Sequence, residues 1–387
     1  VIWSEQGRLH VSAAGTIVAA TGVVTATAHS VRLNDTVVLN QAAGTLKCLV
    51  TAEDANTFTV VPYTQADMVT GTVFVDGAVT GFVFGSEYKK GTNGRAESLE
   101  PSFASLTNKP AIIKDLYEVS GSDASQIGWI EVSGEEGQNG YLWYLKASGD
   151  TMSRFSDYCE MTCIEGELNI NGAAVPGPGV DLGALSGTEG LFAAVENRGN
   201  VTTGGFATAS DSLATFDLIL KRFDTQGAIE ENMMFLNRTN SLAIDDMLAA
   251  QNSYGADGTS YGVFNNEEEM ALNLGFSGFR RGSYDFYKSD WKYLNDATTR
   301  GAIAGDIRGV FVPAGVSSVY DQMLGKNMKR PFLHVRYRAS QTESRKMKTW
   351  VTGSVGAVSS SLDAMEVHYL SERCLVTQGA NNFMLLK

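Results

Sequence analysis

Apolar and polar residues change places at short range along the first 85 positions, in the manner of strands. Val31 to Leu39 offers strand residues around Asn34-Asp35, and Leu46 to Thr51 is a second β-branched run. Glu53-Asp54-Ala55-Asn56 supplies a turn, after which Thr57-Phe58-Thr59-Val60-Val61 returns. Val73-Phe74-Val75 and Phe82-Val83-Phe84 continue the pattern. Residues 10–85 therefore predict a small barrel or sandwich of about six short strands. Residues 1–9 read as an arm, in which Trp3 needs its own core or a neighbour to pack against.

The period then lengthens. Residues 86–110 are polar and rich in Gly, Lys and Ser, and Ala111 to Val119 is strand-like again. Over 138–165, Tyr141, Leu145, Ser148, Met152, Phe155 and Cys159 recur at steps of three and four, which predicts one long helix. Gly149 weakens its middle and Gly166 can stop it. A second helix is expected from Asp211 to Asp224, turning Leu213, Phe216, Ile219 or Leu220, and Phe223 inward. A third is expected from Asn237 to Ala250, and Glu267-Glu268-Glu269 suits the positive start of a short fourth. From Gly282 onward strands return: Gly309 to Pro313, then Phe332 to Tyr337 with Lys348 to Val355 as its partner, then Ala364 to Leu370 and Leu375 to Val376. No internal repeat stands out.

Composition narrows what such a chain does. At 387 residues there is material for two or three lobes. Glycine is plentiful at 41 and proline scarce at 7, which favours turns over stiff linkers. A formal net charge of −13 opposes a dedicated nucleic-acid binder. No apolar run approaches a membrane span, and no signal peptide opens the sequence. Its start at Val1 fits initiator removal, proteolytic maturation or truncation equally.

Catalytic equipment is sparse. The four cysteines, Cys48, Cys159, Cys163 and Cys374, are too scattered for a disulfide framework. Cys159 and Cys163 share a helix face but lack a second ligand pair, so buried thiols are expected rather than a metal. His10, His29, His334 and His368 show no ligand spacing. Neither a nucleophile elbow nor a phosphate loop is present. Asp245 and Asp246 point about 100° apart on a helix and do not converge. No catalytic residue, metal or cofactor is assigned. One charge feature stands out: Lys326, Lys329, Arg330, Arg336, Arg338, Arg345, Lys346 and Lys348 cluster with Glu343 as the acid between them. It reads as an intersubunit surface meeting acids such as Glu267 to Glu269, or as a solvated strand edge, ahead of a phosphate-contacting patch.

The order of elements from 97 to 165 resembles a known family. Asn108, then Ile112, then Val119-Ser120-Gly121-Ser122, then the long helix, is similar to major capsid proteins of tailed bacteriophages with the Hong Kong 97 (HK97-like) fold. The closest match is to a subgroup with a β-domain inserted in the extended loop. Family members carry Val-Ser-Gly-Thr where this chain ends in Ser122, and Pro110 and Ala111 replace residues that are commonly polar or aromatic.

The resemblance implies an α+β capsid fold. Residues 1–9 would be the N-terminal arm and 10–118 the extended loop with its β-domain. Residues 119–200 would hold the peripheral domain with its spine helix, 201–362 mostly the axial domain, and 363–387 a return to the peripheral domain. It implies a structural virion protein, not an enzyme, assembled in the host cytoplasm into hexamers and pentamers of an icosahedral shell. Its partners would be copies of itself, with portal, scaffold and decoration proteins. Double-stranded DNA would be enclosed without sequence-specific binding, and no membrane is involved. An acidic inner wall would keep DNA from sticking. Intersubunit contacts are expected at Trp3, Lys89, Lys90, Lys329, Arg330, Arg336, Arg338, Arg345 and Lys346. Lys89, Lys90 and Lys109 sit in or beside the extended loop, yet no acid and acceptor for a covalent crosslink are identifiable. Three rivals remain: a tail tube or baseplate protein, a glycosidase using two carboxylates, and a secreted adhesin.

Overall fold

The computed structural model describes every residue except 8–11, 28, 72–73, 96–97, 100–102, 125–130, 134–138, 170–184, 205, 207–208, 253–277, 302–305, 322–325 and 355–358. For 124, 131–133, 139–146, 209–212, 249–252, 317–321 and 326–328 it describes the backbone course alone. The chain forms two compact units: Trp3–Leu106, and Val1–Ile2 together with Thr107–Lys387. The expected fourth helix at Glu267-Glu268-Glu269 lies outside the described residues.

The smaller unit is β throughout. Its strands are β1 (Ile2–Gln6), β2 (Ala13–Val18), β3 (Val23–Thr25), β4 (Asp35–Gln41), β5 (Gly44–Asp54), β6 (Thr57–Pro62), β7 (Gly77–Ser86) and β8 (Phe103–Thr107). β2 to β7 close a six-stranded barrel in the order β2-β3-β6-β5-β4-β7. Alternation sends Ile17, Val24, Val37, Leu39, Cys48, Val50, Phe58 and Val60 inward as one core. Curvature comes from bulges at Thr36/Val37 and between Val50 and Ala52. Gly15 permits a close approach, since a Cβ there would lie 2.2 Å from the Thr25 carbonyl oxygen.

The segment read as an arm forms β1, which pairs with β8, and Trp3 is only 6% exposed. One expected strand is absent. Val73 lies outside the described residues, and Phe74-Val75 is not a strand. Gln41 instead clamps Val75 from both sides, donating to its carbonyl at 2.8 Å and accepting from its amide at 2.9 Å. That clamp seats Phe74 in the barrel core.

Burial pushes the Cys48 thiol up to about 12. At pH 8 its thiolate is therefore scarce, about one part in ten thousand. Titration with a thiol reagent should leave Cys48 unmodified in the native protein and label it on denaturation. Prompt native labelling of Cys48 would contradict a closed barrel.

The larger unit is mixed α and β. One sheet is built on β21 (Ala364–Thr377), fourteen residues long. β9 (Ala111–Ser120) takes one edge of it. β20 (Lys348–Gly353) and β19 (Leu333–Tyr337) lie end to end along the other. The expected pairing of β19 with β20 is therefore corrected, because both use the same edge of β21. Gly353, at φ +123°, ends β20 where a Cβ would sit 1.9 Å from the Ala364 carbonyl oxygen.

After β9 come a short α1 (Gly121–Ala124), the hairpin of β10 (Glu131–Ser133) and β11 (Asn139–Tyr141), and then α2 (Leu142–Glu165). At 24 residues α2 is about 36 Å long. Phe155 and Cys159 pack on Val367, Tyr369, Ile113 and Tyr117. Arg154 clasps Asp115 of β9 through two bonds of 2.9 and 3.0 Å. The buried row is Thr151, Phe155 and Cys159, so Met152 faces outward. Tyr141 belongs to β11, and the Leu145 side chain lies outside the described set.

The second sheet has six strands in the order β12-β22-β16-β13-β15-β14. They are β12 (Asn200–Thr202), β13 (Glu231–Leu236), β14 (Gly278–Arg281), β15 (Tyr284–Asp290), β16 (Gly309–Pro313) and β22 (Met384–Leu386). α4 (Ala209–Gln226) and α5 (Arg238–Asn252) cover one face. Phe216, Ile219, Phe223, Ile244 and Met247 meet Met234, Leu236, Phe286 and Phe311 there. Asn237 caps α5, its side-chain oxygen accepting from the Asn240 amide at 2.9 Å. α3 (Leu191–Arg198) covers the other face, with Phe192 and Val195 against Val310 and Leu385. Burial on both faces explains the unbroken apolar run of β22. Among the described residues the remaining α-helix is α6 (Ala297–Arg300), and the remaining strands form the ribbon of β17 (Val316–Asp321) and β18 (Lys326–Pro331). The last 25 residues are thus divided: β21 completes the first sheet and β22 the second.

Candidate functional site

Arg338, Arg345, Lys346 and Lys348 of the basic cluster lie at the gap between β19 and β20. There the chain loops out over residues 338–347 and is held shut by three amide bonds. Arg338 N–H donates to the Glu372 carbonyl at 3.1 Å, Glu372 N–H to Arg345 at 2.9 Å, and Arg345 N–H to Arg338 at 3.0 Å. Glu372, in the middle of β21, is buried. One of its carboxylate oxygens lies 2.6 Å from Arg345 Nε and the other 3.1 Å from Arg338 Nη1. Glu343 takes Lys348 at 2.6 Å and Arg345 at 3.7 Å. Hydrogen bonding to Lys348 holds the Glu343 carboxyl below its usual range. The loop is therefore an ion-paired clasp, with a second acid that sequence spacing did not offer.

The rest of the cluster faces outward in part. Lys346 and the Arg373 guanidinium lie over the Tyr337 ring at 5.3 and 5.2 Å, and Lys348 over Trp350 at 5.6 Å. Trp350 stacks on His368 at 5.0 Å. Arg336 donates to His334 Nε2 at 3.3 Å, and burial followed by the nearby Arg330 draws its pKa down. Lys329 is exposed. The side chain of Lys326 is outside the described residues, as is the expected acidic partner Glu267 to Glu269.

Lys89 and Lys90 lie on the barrel unit, in the segment after β7. Lys89 lines a cleft with Arg32, Asn34, Tyr88, Asn93 and Arg95. Asp35 is buried behind it and pairs with both Arg32 and Arg95. Arg95 Nε donates to the Tyr88 hydroxyl at 2.9 Å. That bond, with the neighbouring Asp35 carboxylate, outweighs desolvation and raises the Arg95 pKa. Sequence reading singled out Lys89 and missed Arg32, Asp35 and Arg95. Asp35 lies sixty residues before Arg95, so only the closed barrel joins them.

Asn108, read from sequence as a family marker, is buried and works hard. Its amide donates to the Glu189 carbonyl at 2.9 Å and the Leu375 carbonyl at 2.7 Å, and its oxygen accepts from the Glu189 amide at 2.9 Å. It pins the start of β9 to the end of β21. Lys109 beside it reaches Ser186 at 3.5 Å. Asp245 is bound to Lys288 at 2.5 Å while Asp246 is exposed, so that pair diverges. All four cysteines are free thiols, and burial pushes Cys163 up to about 11.

No protein-family model and no curated protein matches the chain. Among solved structures it is similar to the asymmetric unit of the bacteriophage PhiM1 mature capsid. That likeness has 11% identity, a TM-score of 0.38, and covers 79% of this chain and 78% of that one. The cyanophage P-SCSP1u capsid gives 10% identity, a TM-score of 0.40, and covers 78% and 79% of the two chains. The capsid of a native GTA particle gives 12%, 0.36, and 78% and 80%. All three are capsid structures.

Proposed function

We propose that the chain is a shell protein, copies of which associate into the hexamers and pentamers of an icosahedral capsid around phage double-stranded DNA. The observation that carries this reading is the way the barrel is attached. The chain leaves the larger unit after Ile2 and re-enters it at Thr107, and the two crossings lie in the paired strands β1 and β8. The barrel is a closed domain inserted in the chain between Ile2 and Thr107, and the larger unit holds a long helix, α2, packed on a sheet. That order, a β-domain insertion followed by a long helix, supports reading the two as an extended loop and a spine helix. A tail tube, baseplate or glycosidase reading draws no comparable support from these elements.

In this reading many moderate contacts, closed by symmetry, hold the shell. Lys89 and Lys90 on the barrel, and Lys329, Arg330, Arg336 and Lys346 around the clasp, meet acidic surfaces of neighbouring copies. Arg338 and Arg345 are engaged by Glu372 and act by holding the clasp loop in place. Trp3 is buried within its own chain. Portal, scaffold and decoration proteins would complete the particle.

The test is sedimentation of the purified protein with a denaturing gel of the same material. Species far larger than a monomer, dissociating to one monomer band after boiling, are expected. A monomer at every concentration would overturn the assembly reading, and a ladder would overturn the absence of crosslinks.

A further inference from the structure

The barrel turns an apolar face outward. Its core side chains alternate along each strand with a second set that points away from the core. Outside four neighbouring strands, Phe82 of β7 lies beside Val38 of β4, Val38 beside Lys47 of β5, and Lys47 beside Tyr63, which follows β6. In the next row Thr36 of β4 lies beside Leu49 of β5, and Leu49 beside Val61 of β6. Phe84 is the extra residue of the β7 bulge opposite Thr36. Phe82, Phe84, Val61 and Tyr63 are each 46–49% exposed, and Val38 and Leu49 lie half-buried between them. Together they present roughly 400 Å² of mostly apolar surface, the size at which a patch marks an interaction site.

Two charged groups flank this patch on opposite sides of Leu49. Lys47 stands two residues before Leu49 and is exposed. Glu87 lies beyond Leu49: its amide donates to the Asn34 carbonyl at 3.0 Å, and the Asn34 amide donates to the Val50 carbonyl at 3.1 Å. The Glu87 carboxylate accepts from the Tyr63 hydroxyl at 2.7 Å. Burial, then the bond to Glu87, pushes that hydroxyl up to about 12, so the negative charge of the pair stays on Glu87. Among the described residues neither Lys47 nor Glu87 has an ion-pair partner. A two-fold axis through Leu49 lays one patch on another and sets Lys47 of each copy beside Glu87 of the other. The face is complementary to itself, which is the condition for an isologous contact.

We propose that this outer face of the barrel pairs with the same face of a second copy, apolar in the middle and closed at its two sides by Lys47–Glu87 ion pairs. Two such patches bury about 800 Å² together, less than the roughly 1,200 Å² at which lasting complexes begin. The pairing is therefore weak by itself and acts beside other contacts. It needs two barrels and no shell, so it stands apart from the assembly reading.

Photo-crosslinking of the concentrated full chain, with p-benzoylphenylalanine in place of Phe84, tests it. A dimer is expected whose joined peptide comes from residues 35–63 or 77–87 of the second copy. Lys47→Glu sets like charges together at both sides and should cut the crosslinked fraction on the order of tenfold. Adding Glu87→Lys to that variant reverses both charges and should restore the crosslink. Lys47 and Glu87 are exposed, so the thermal midpoint should stay that of the parent chain in each case. A crosslink that maps to the larger unit of a second copy, or no dimer at any concentration, overturns the proposal. So does a double variant that pairs no better than Lys47→Glu alone.

Discussion

Replacing Phe155 by alanine should destabilise the larger unit by about 3–5 kcal/mol, the usual range for deleting a buried aromatic ring. Phe155 is fully buried between α2 and β21, with its ring 5.8 Å from that of Tyr369. The cluster around it is small: Cys159, Val367 and Tyr369, flanked by Ile113 and Tyr117. Little is available to collapse into the void, so the cost should fall toward the upper end. The exposed bond of Arg154 to Asp115 is screened by solvent and cannot replace the ring. Chemical denaturation of Phe155→Ala should show a lower midpoint, and sedimentation should show loss of large species. Phe155→Leu keeps most of the volume and should restore both. An unchanged midpoint in Phe155→Ala would mean that α2 is not clamped to the sheet as described.

Glu372→Ala should be the second most damaging change. The substitution removes the carboxylate from Arg338 and leaves Arg345 with only its longer, 3.7 Å contact to Glu343 at the loop that bridges β19 and β20. Breaking a buried pair by removing one partner costs about 3–5 kcal/mol. Arg338 is largely exposed, so its share is small, and most of the loss comes from Arg345. A net destabilisation of about 3 kcal/mol is expected on those grounds. The clasp should also open, so amide exchange at Arg345 should rise well above that of β21. Glu372→Gln, which keeps acceptor geometry without charge, should fall between the two proteins. Equal stability of all three would contradict a carboxylate-centred clasp.

Much of the architecture is legible in the sequence where residue choice is local. The barrel strands stand out because β-branched runs are separated by turn residues, and α2, α4 and α5 because their buried positions recur at three and four. What escapes is long-range. The pairing of Ile2 to Gln6 is not visible, since β8 lies a hundred residues on. β21 reads as two strands because Ser371-Glu372-Arg373 breaks its apolar run. The structure keeps it whole by satisfying each polar group: Ser371 donates to the Lys346 carbonyl at 2.8 Å, Arg373 donates to Ser371 at 2.9 Å, and Glu372 holds the two arginines. The basic cluster is visible as composition, but its balancing acid arrives from another strand. The cleft at Lys89 is hidden for the same reason, since Arg32, Asp35 and Arg95 meet only when the barrel closes.

Electron microscopy of the concentrated protein tests the central claim most directly. Closed icosahedral shells, or rings of six and five copies, are the expected result. Isolated single copies at every concentration, with scaffold supplied, would contradict it.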